Sequence, residues 1–187
     1  MFVRLVAVSA AAVLFATAAD AQVSVFTGSS QATACSRAAK HPGPNIEAIP
    51  TCTVAIEHEA LFGRELAGTF VNRGVLYLRN GDFDRARADF DTALSIDPRM
   101  GEALINRGAA EIAERRFAAG VADIDRGLTL NPEEPEKAYY NRALAKERLD
   151  DLKGAYFDYM KAAELAPTWL APRNELRRFN VESRRPG

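Results

Sequence analysis

Apolar residues recur at helical spacing in paired blocks from Ala67 to Trp169, and each pair of blocks ends near a proline. The stretch Phe70 to Pro98, FVNRGVLYLRNGDFDRARADFDTALSIDP, shows the unit most clearly. Spacings of three and four predict two amphipathic helices. Asn80-Gly81 predicts the turn between them, since it accepts a positive φ. A second helix is expected to begin near Asp82 or Asp84, where a carboxylate can cap free N–H groups. Gly74 and Ala86 are small enough to let the helices approach, and Phe90 fills the space between them. Pro98 stops the second helix, with Asp97 disfavoured in a helix ahead of proline.

The unit returns with Gly108, Ile124 and Pro132, and again with Ala143, Ala155, Tyr159, Ala162 and Pro167. A period of this size, about 34, predicts stacked helical hairpins. The repeats are expected at 67–100, 101–134 and 136–169, with Pro135 a single inserted residue that lengthens the last interval by one. Repeat two has no glycine in its Glu114-Arg115-Arg116 turn. It carries Gly120 and Gly127 where repeat one has Ala86 and Ala93. Closer packing is expected there, at about 1 kcal/mol of helix stability per glycine.

A degenerate hairpin is expected over 34–66, ahead of the repeats. It comprises a short helix at Ala34 to Lys40, the breaker loop His41-Pro42-Gly43-Pro44-Asn45, and a helix from Ala48 to Glu65. Residues 22–33 read as a flexible lead-in. After the repeats, 170–187 read as a short capping helix and a basic tail. Leu170, Leu176 and Phe179 are expected to cover the end of the stack, with Arg173, Arg177 and Arg178 facing water.

The segment from Met1 to Ala21 has the three parts of a secretory signal. These are Arg4, the apolar stretch Leu5 to Ala19, and the small-x-small site Ala19-Asp20-Ala21. Cleavage after Ala21 would deliver the chain to the periplasm or outside the cell, with no stable membrane insertion. Cys35 and Cys52 are the only cysteines. In an exported chain they predict a disulfide across the leading hairpin, contributing about 3 kcal/mol. The alternative is a zinc site built on Cys35-x5-His41 and Cys52-x5-His58, although that spacing fits no closed zinc module.

The chain has 187 residues, 48% of them hydrophobic and 26% charged, with a formal net charge of −1. Those are ordinary globular values, and no basic footprint for nucleic acid is present. No nucleophile–base set or phosphate loop appears, and His41 and His58 are the only histidines. Asp82, Asp84, Asp89 and Asp91 lack the glycine and closing glutamate of a calcium loop. No enzyme activity, cofactor or metal is expected.

The motif Phe70-x2-Arg73-Gly74-x2-Tyr77, Ala86-x3-Phe90 and Pro98, with its two further copies, resembles the tetratricopeptide repeat family over about Ala67 to Trp169. The resemblance implies an all-α fold, a right-handed superhelical stack of antiparallel hairpins. It also implies a concave groove, lined by the first helices, that binds a protein or peptide. Groove residues expected by this resemblance are Asn72, Val75, Arg79, Asn106, Ala109, Ile112, Tyr140, Asn141, Leu144 and Arg148. The asparagine row can either meet a peptide backbone or contact the neighbouring helix. Val71 and Ile105 stand where the chaperone-binding branch of the family needs lysine for a carboxylate clamp, which argues against such a clamp. Where the family has a leucine-like residue before the small position, this chain has Arg73, Arg107 and Arg142. Asp89, Asp123 and Asp158 follow these arginines at one constant offset. Bidentate ion pairs Arg73–Asp89, Arg107–Asp123 and Arg142–Asp158 are therefore expected inside each hairpin. The functional expectation is an interaction scaffold in a bacterial cell envelope. The alternative is an accessory factor in envelope or cell-wall assembly, contacting an anionic surface through Arg177, Arg178, Arg184 and Arg185.

Overall fold

The structure is a computed structural model that describes residues 3–7, 30–43 and 45–183. Most of the expected signal segment with its cleavage site, the start of the lead-in, and Arg184 and Arg185 lie outside the described residues. The leading hairpin is α1 (Ser30–Lys40) and α2 (Ile49–His58). Three longer hairpins follow: α3 (Gly63–Arg79) with α4 (Phe83–Ile96), α5 (Gly101–Ala113) with α6 (Phe117–Leu128), and α7 (Pro135–Arg148) with α8 (Leu152–Leu165). The short α9 (Leu170–Leu176) closes the stack. The all-α repeat architecture read from the sequence is the one observed. One ribbon is added to it: β1 (Val3–Ala7) pairs antiparallel with β2 (Phe179–Ser183), from Val3 opposite Ser183 to Ala7 opposite Phe179.

All three long hairpins turn in one way. The backbone N–H groups of Asp82, Arg116 and Asp151 donate to the carbonyls of Tyr77, Glu111 and Lys146, at 2.9, 2.8 and 2.9 Å. The residue before each donor is left-handed: Gly81 at φ 79°, Arg115 at 63° and Asp150 at 61°. Only the first turn uses glycine; the other two carry a steric cost of about 1 kcal/mol. Asp82 and Asp151 cap the helices that follow, accepting from the N–H groups of Arg85 and Gly154 at 3.2 and 2.9 Å.

The glycines of the second hairpin set its helix separation. A Cβ on Gly120 would lie 2.5 Å from Cγ1 of Ile112 and 2.8 Å from the carbonyl oxygen of Gly108. Only glycine fits, so Ile112 and Ile105 can lie over α6 and complete a core with Ile124.

Each predicted ion pair forms as a two-donor fork. Nε and Nη2 of Arg73 reach Asp89 at 2.8 and 2.7 Å; those of Arg107 reach Asp123 at 2.6 and 2.7 Å; those of Arg142 reach Asp158 at 2.8 and 2.6 Å. Nη1, the remaining donor group, reaches back to the preceding hairpin. It meets Asp91 on α4 from Arg107 at 2.7 Å and Asp125 on α6 from Arg142 at 2.6 Å. Arg73 finds Thr53 Oγ1 on α2 at 3.0 Å. Helix α2 thus takes the place of a second repeat helix, with threonine standing in for aspartate. Asp89 and Asp158 are 5% exposed. The Asp89 fork raises the Arg73 pKa, while burial raises that of Asp89 and Arg73 offsets this only in part.

Cys35 and Cys52 form the predicted disulfide, with Cα atoms 4.9 Å apart, buried against Leu76. The zinc alternative is thereby overturned, since each sulfur is bonded to the other. The helix expected over Ala48 to Glu65 breaks at Glu59–Phe62. There the Glu59 carboxylate accepts from the N–H groups of Gln31 and Ala32 at 2.9 and 3.1 Å, serving the free N-terminus of α1. That contact draws the chain out of α2, and α3 begins at Gly63. Helix α1 begins at Ser30, so the last residues of the expected lead-in are helical.

Breaking a buried pair strands a charge. Asp89→Ala is expected to lower stability by about 3 kcal/mol, whereas Arg73→Leu with Asp89→Leu stays within about 1 kcal/mol of the native chain. Chemical denaturation of both variants tests this, and equal losses would show that the fork holds no stranded charge. Cys35→Ser with Cys52→Ser is expected to cost about 3 kcal/mol. Proteolysis of this variant should begin in α1 and α2; protection equal to the native chain would refute the staple.

Candidate partner-binding groove

The first helices α3, α5 and α7 are held parallel by the forks, so residues at one repeat position form rows across them. Asn72, Asn106 and Asn141 form such a row, at 4, 0 and 1% exposure. Oδ1 of Asn72 and both polar side-chain atoms of Asn141 have no hydrogen-bond partner among the described residues. A buried amide without a partner costs about 1–3 kcal/mol.

The other expected groove residues are not an open lining. Val75 and Ala109 belong to the core shared by the first hairpin and α5, with Phe90 and Met100. Ile112 lies against Gly120 of α6. Tyr140, expected as an aromatic anchor for a ligand, is packed at 4.8 Å from the Trp169 ring and 5.6 Å from that of Tyr159. It is an anchor of the cap: the bulky rings of α8 and Trp169 draw it inward. Leu144 is half-buried against the same cluster. Arg79 donates to the carbonyls of Ala39 and His41 at 2.7 and 2.5 Å, so it ties α3 to α1. Arg148 is exposed.

The C-terminal end is locked by a polar cluster. Tyr159 donates to Glu147 Oε1 at 2.6 Å, and Arg178 donates to Glu147 Oε2 at 2.7 Å and also pairs with Glu175. Arg178, expected to face water, is therefore neutralised, and Leu170, expected to cover the stack, is 63% exposed. Of the expected cover, Leu176 and Phe179 do pack on the end of the stack, with Trp169 beside them. Of the tail arginines within the described residues, Arg177 is exposed. Burial, with the charges of Glu175 and Glu147, pushes the Tyr140 pKa up to about 12. Burial and the bond to Glu147 hold the Tyr159 phenol higher still.

On the side of the second helices an open cleft of about 650 Å³ runs between α4 and α6, above Arg107. Ala88, Ala119 and Ala122 keep it open. Four carboxylates (Asp84, Asp91, Glu111, Asp123) face two guanidinium groups (Arg87, Arg107) there. The sequence signal for it is the small residues at one face of α4 and α6, which core-directed reading passes over. No group of three or more His, Cys, Asp or Glu side chains among the described residues could hold a metal ion. No described helix is long and apolar enough to cross a membrane.

Family models of the tetratricopeptide repeat match residues 67–100 and 136–168. The intervening hairpin, with Gly120, Gly127 and its glycine-free turn, has the same backbone form. No curated protein matches the chain. Among solved structures, the first TPR domain of human RPAP3 is 30% identical over 62% of this chain and 90% of that one, with a TM-score of 0.58. The first TPR of Spaghetti (RPAP3) bound to the HSP90 peptide SRMEEVD is 29% identical over 61% of this chain and 92% of that one, with a TM-score of 0.57. The Sgt2 TPR domain from Aspergillus fumigatus is 25% identical over 59% and 74%, with a TM-score of 0.54.

A phenol pKa raised by folding keeps its stabilising effect below the unfolded value near pH 10, and loses it as pH rises through the folded value. Repeat three should therefore loosen as pH climbs from about 10 towards 12. Tyr159→Phe should blunt this loss, measured by helicity together with tyrosinate absorbance. Helicity unchanged across that range would contradict the buried, protonated pair.

Proposed function

This chain belongs to the tetratricopeptide repeat family, and we propose that it is a scaffold in the cell envelope that binds a peptide or protein segment along its first helices. The observation that carries this reading is a relative of the same fold, 29% identical, with the HSP90 peptide SRMEEVD bound. The occupant proposed here is of another kind. Val71 and Ile105 replace the lysines that would hold a terminal carboxylate, and Val75, Ala109, Ile112 and Leu144 are further apolar side chains of the same helices, buried or half-buried in the closed stack. A largely apolar segment fits that composition, with its main chain meeting the amides of Asn72 and Asn141. Those amides lie almost wholly out of solvent. Binding therefore requires the first-helix face to part, and pairing the stranded polar atoms offsets some of the cost.

Two features support the compartment. The first residues carry the charge, apolar run and cleavage pattern of a secretory signal. The Cys35–Cys52 bond belongs to an oxidising environment.

The test is affinity capture from an envelope fraction, compared between the native chain and Asn72→Ala with Asn141→Ala. Capture is expected to fall about tenfold, the loss of roughly one to two hydrogen bonds. SRMEEVD is expected not to bind in a parallel titration. Unchanged capture would sink the first-helix site, and tight binding of SRMEEVD would sink the apolar specificity. Tyr140 is unsuited to this test because its ring is part of the cap.

A further inference from the structure

Helix α8 differs from α4 and α6 on its outward side. Lys153, Phe157, Met160 and Glu164 are all exposed, with Phe157 at 50% and Met160 at 44%. At about 100° per residue, the four fall within about 60° of one another, opposite the buried Ala155, Asp158, Tyr159 and Ala162. The same positions on α4 are Asp84, Ala88, Asp91 and Ser95, and on α6 they are Ala118, Ala122 and Asp125, with Thr129 just past its end. Asp91 and Asp125 each receive the arginine of the next hairpin. Met160 stands in that register and cannot accept a guanidinium. The stack therefore ends on an apolar step where its own rule would place a carboxylate.

We propose that this stripe is a self-association surface, on which α8 of a second copy lies antiparallel about a two-fold axis. The stripe is self-complementary. Its midpoint falls between Asp158 and Tyr159, and Phe157 and Met160 are equidistant from it, as are Lys153 and Glu164. An antiparallel second copy sets Phe157 against Met160 and Lys153 against Glu164, and the two-fold makes each contact twice. Aromatic–thioether contacts form the centre, and an ion pair closes each end. An unrelated partner would need the same order of charge and apolar residues reversed, and this helix supplies it. Glu164 takes two bonds from Lys161 within its own helix, at 3.0 and 3.1 Å. That pair is exposed and weak, so the carboxylate can turn to a new lysine. One helix stripe lies at the small end of specific interfaces, so the association is reversible and concentration-dependent. The stripe points away from α7, which leaves the first-helix face uncovered and makes this surface testable apart from partner binding.

The experiment is sedimentation equilibrium of the full chain across a concentration series, with helicity recorded for each variant. The native chain is expected to pass from monomer to dimer. Phe157→Glu is expected to hold it monomeric. Lys153→Glu alone and Glu164→Lys alone each set like charges opposite one another and should weaken the dimer about tenfold. The two together exchange the charges and should restore it. A native chain that stays monomeric throughout would overturn the proposal. So would a dimer indifferent to Phe157→Glu, or a double exchange no better than either single change.

Discussion

The stack depends on one repeated contact, a guanidinium that serves two hairpins at once. Arg73, Arg107 and Arg142 each spend two donors on the aspartate of their own hairpin and one on the hairpin before. The first contact sets the register of the two helices within a unit. The second sets the offset between units. Planar guanidinium geometry makes these settings mutually dependent, which a lysine ammonium could not do. Aromatic rings help hold the planes: Arg73 lies 5.5 Å from the centre of Phe70, and Arg142 lies 5.1 Å from that of Tyr139. Stability and geometry are separate outcomes here. A buried ion pair adds little net energy over apolar packing, yet it permits few alternative alignments.

Much of this was legible because it repeats. The recurrence of Arg and Asp at a constant offset identified the forks, since helical spacing fixes which side chains face each other inside a hairpin. The backward contacts to Asp91 and Asp125 were not legible. They depend on how one hairpin rotates against the next, which no spacing within a unit reveals. The groove shows the same limit. Position within the repeat marked Tyr140, Ile112 and Val75 as lining, but neighbour size decides where each points. Gly120 draws Ile112 onto α6, and Trp169 with Tyr159 draws in Tyr140. Arg79 resembles a groove cation until the carbonyls at the end of α1 are placed beside it. The break at Glu59 was hidden for a similar reason: its cause is the free N-terminus of α1, far away in sequence.

The second hairpin shows that one backbone can rest on different local solutions. Its turn places an arginine where glycine would be easiest, and its helices carry glycines where alanine would be a better helix former. Each choice is locally unfavourable. The glycines let α5 and α6 approach closely and leave room for Ile105 and Ile112 above α6. Tertiary packing thus overrides propensity, in a segment flanked by units that carry alanine at the corresponding helix positions.

The disulfide of the leading hairpin has both sulfur-bearing residues wholly buried, with Leu76 of α3 packed over them. Thiol–disulfide exchange needs a thiolate to approach a sulfur directly. Once α3 is docked, neither an oxidant nor a reductant can make that approach. Exchange at the bond, in either direction, therefore waits on α3 lifting away. Docking thus makes the rate of exchange depend on how often α3 lifts away, while the redox poise outside still sets which state is favoured. Burial makes the bond a slow reporter of its surroundings, where an exposed one would be fast.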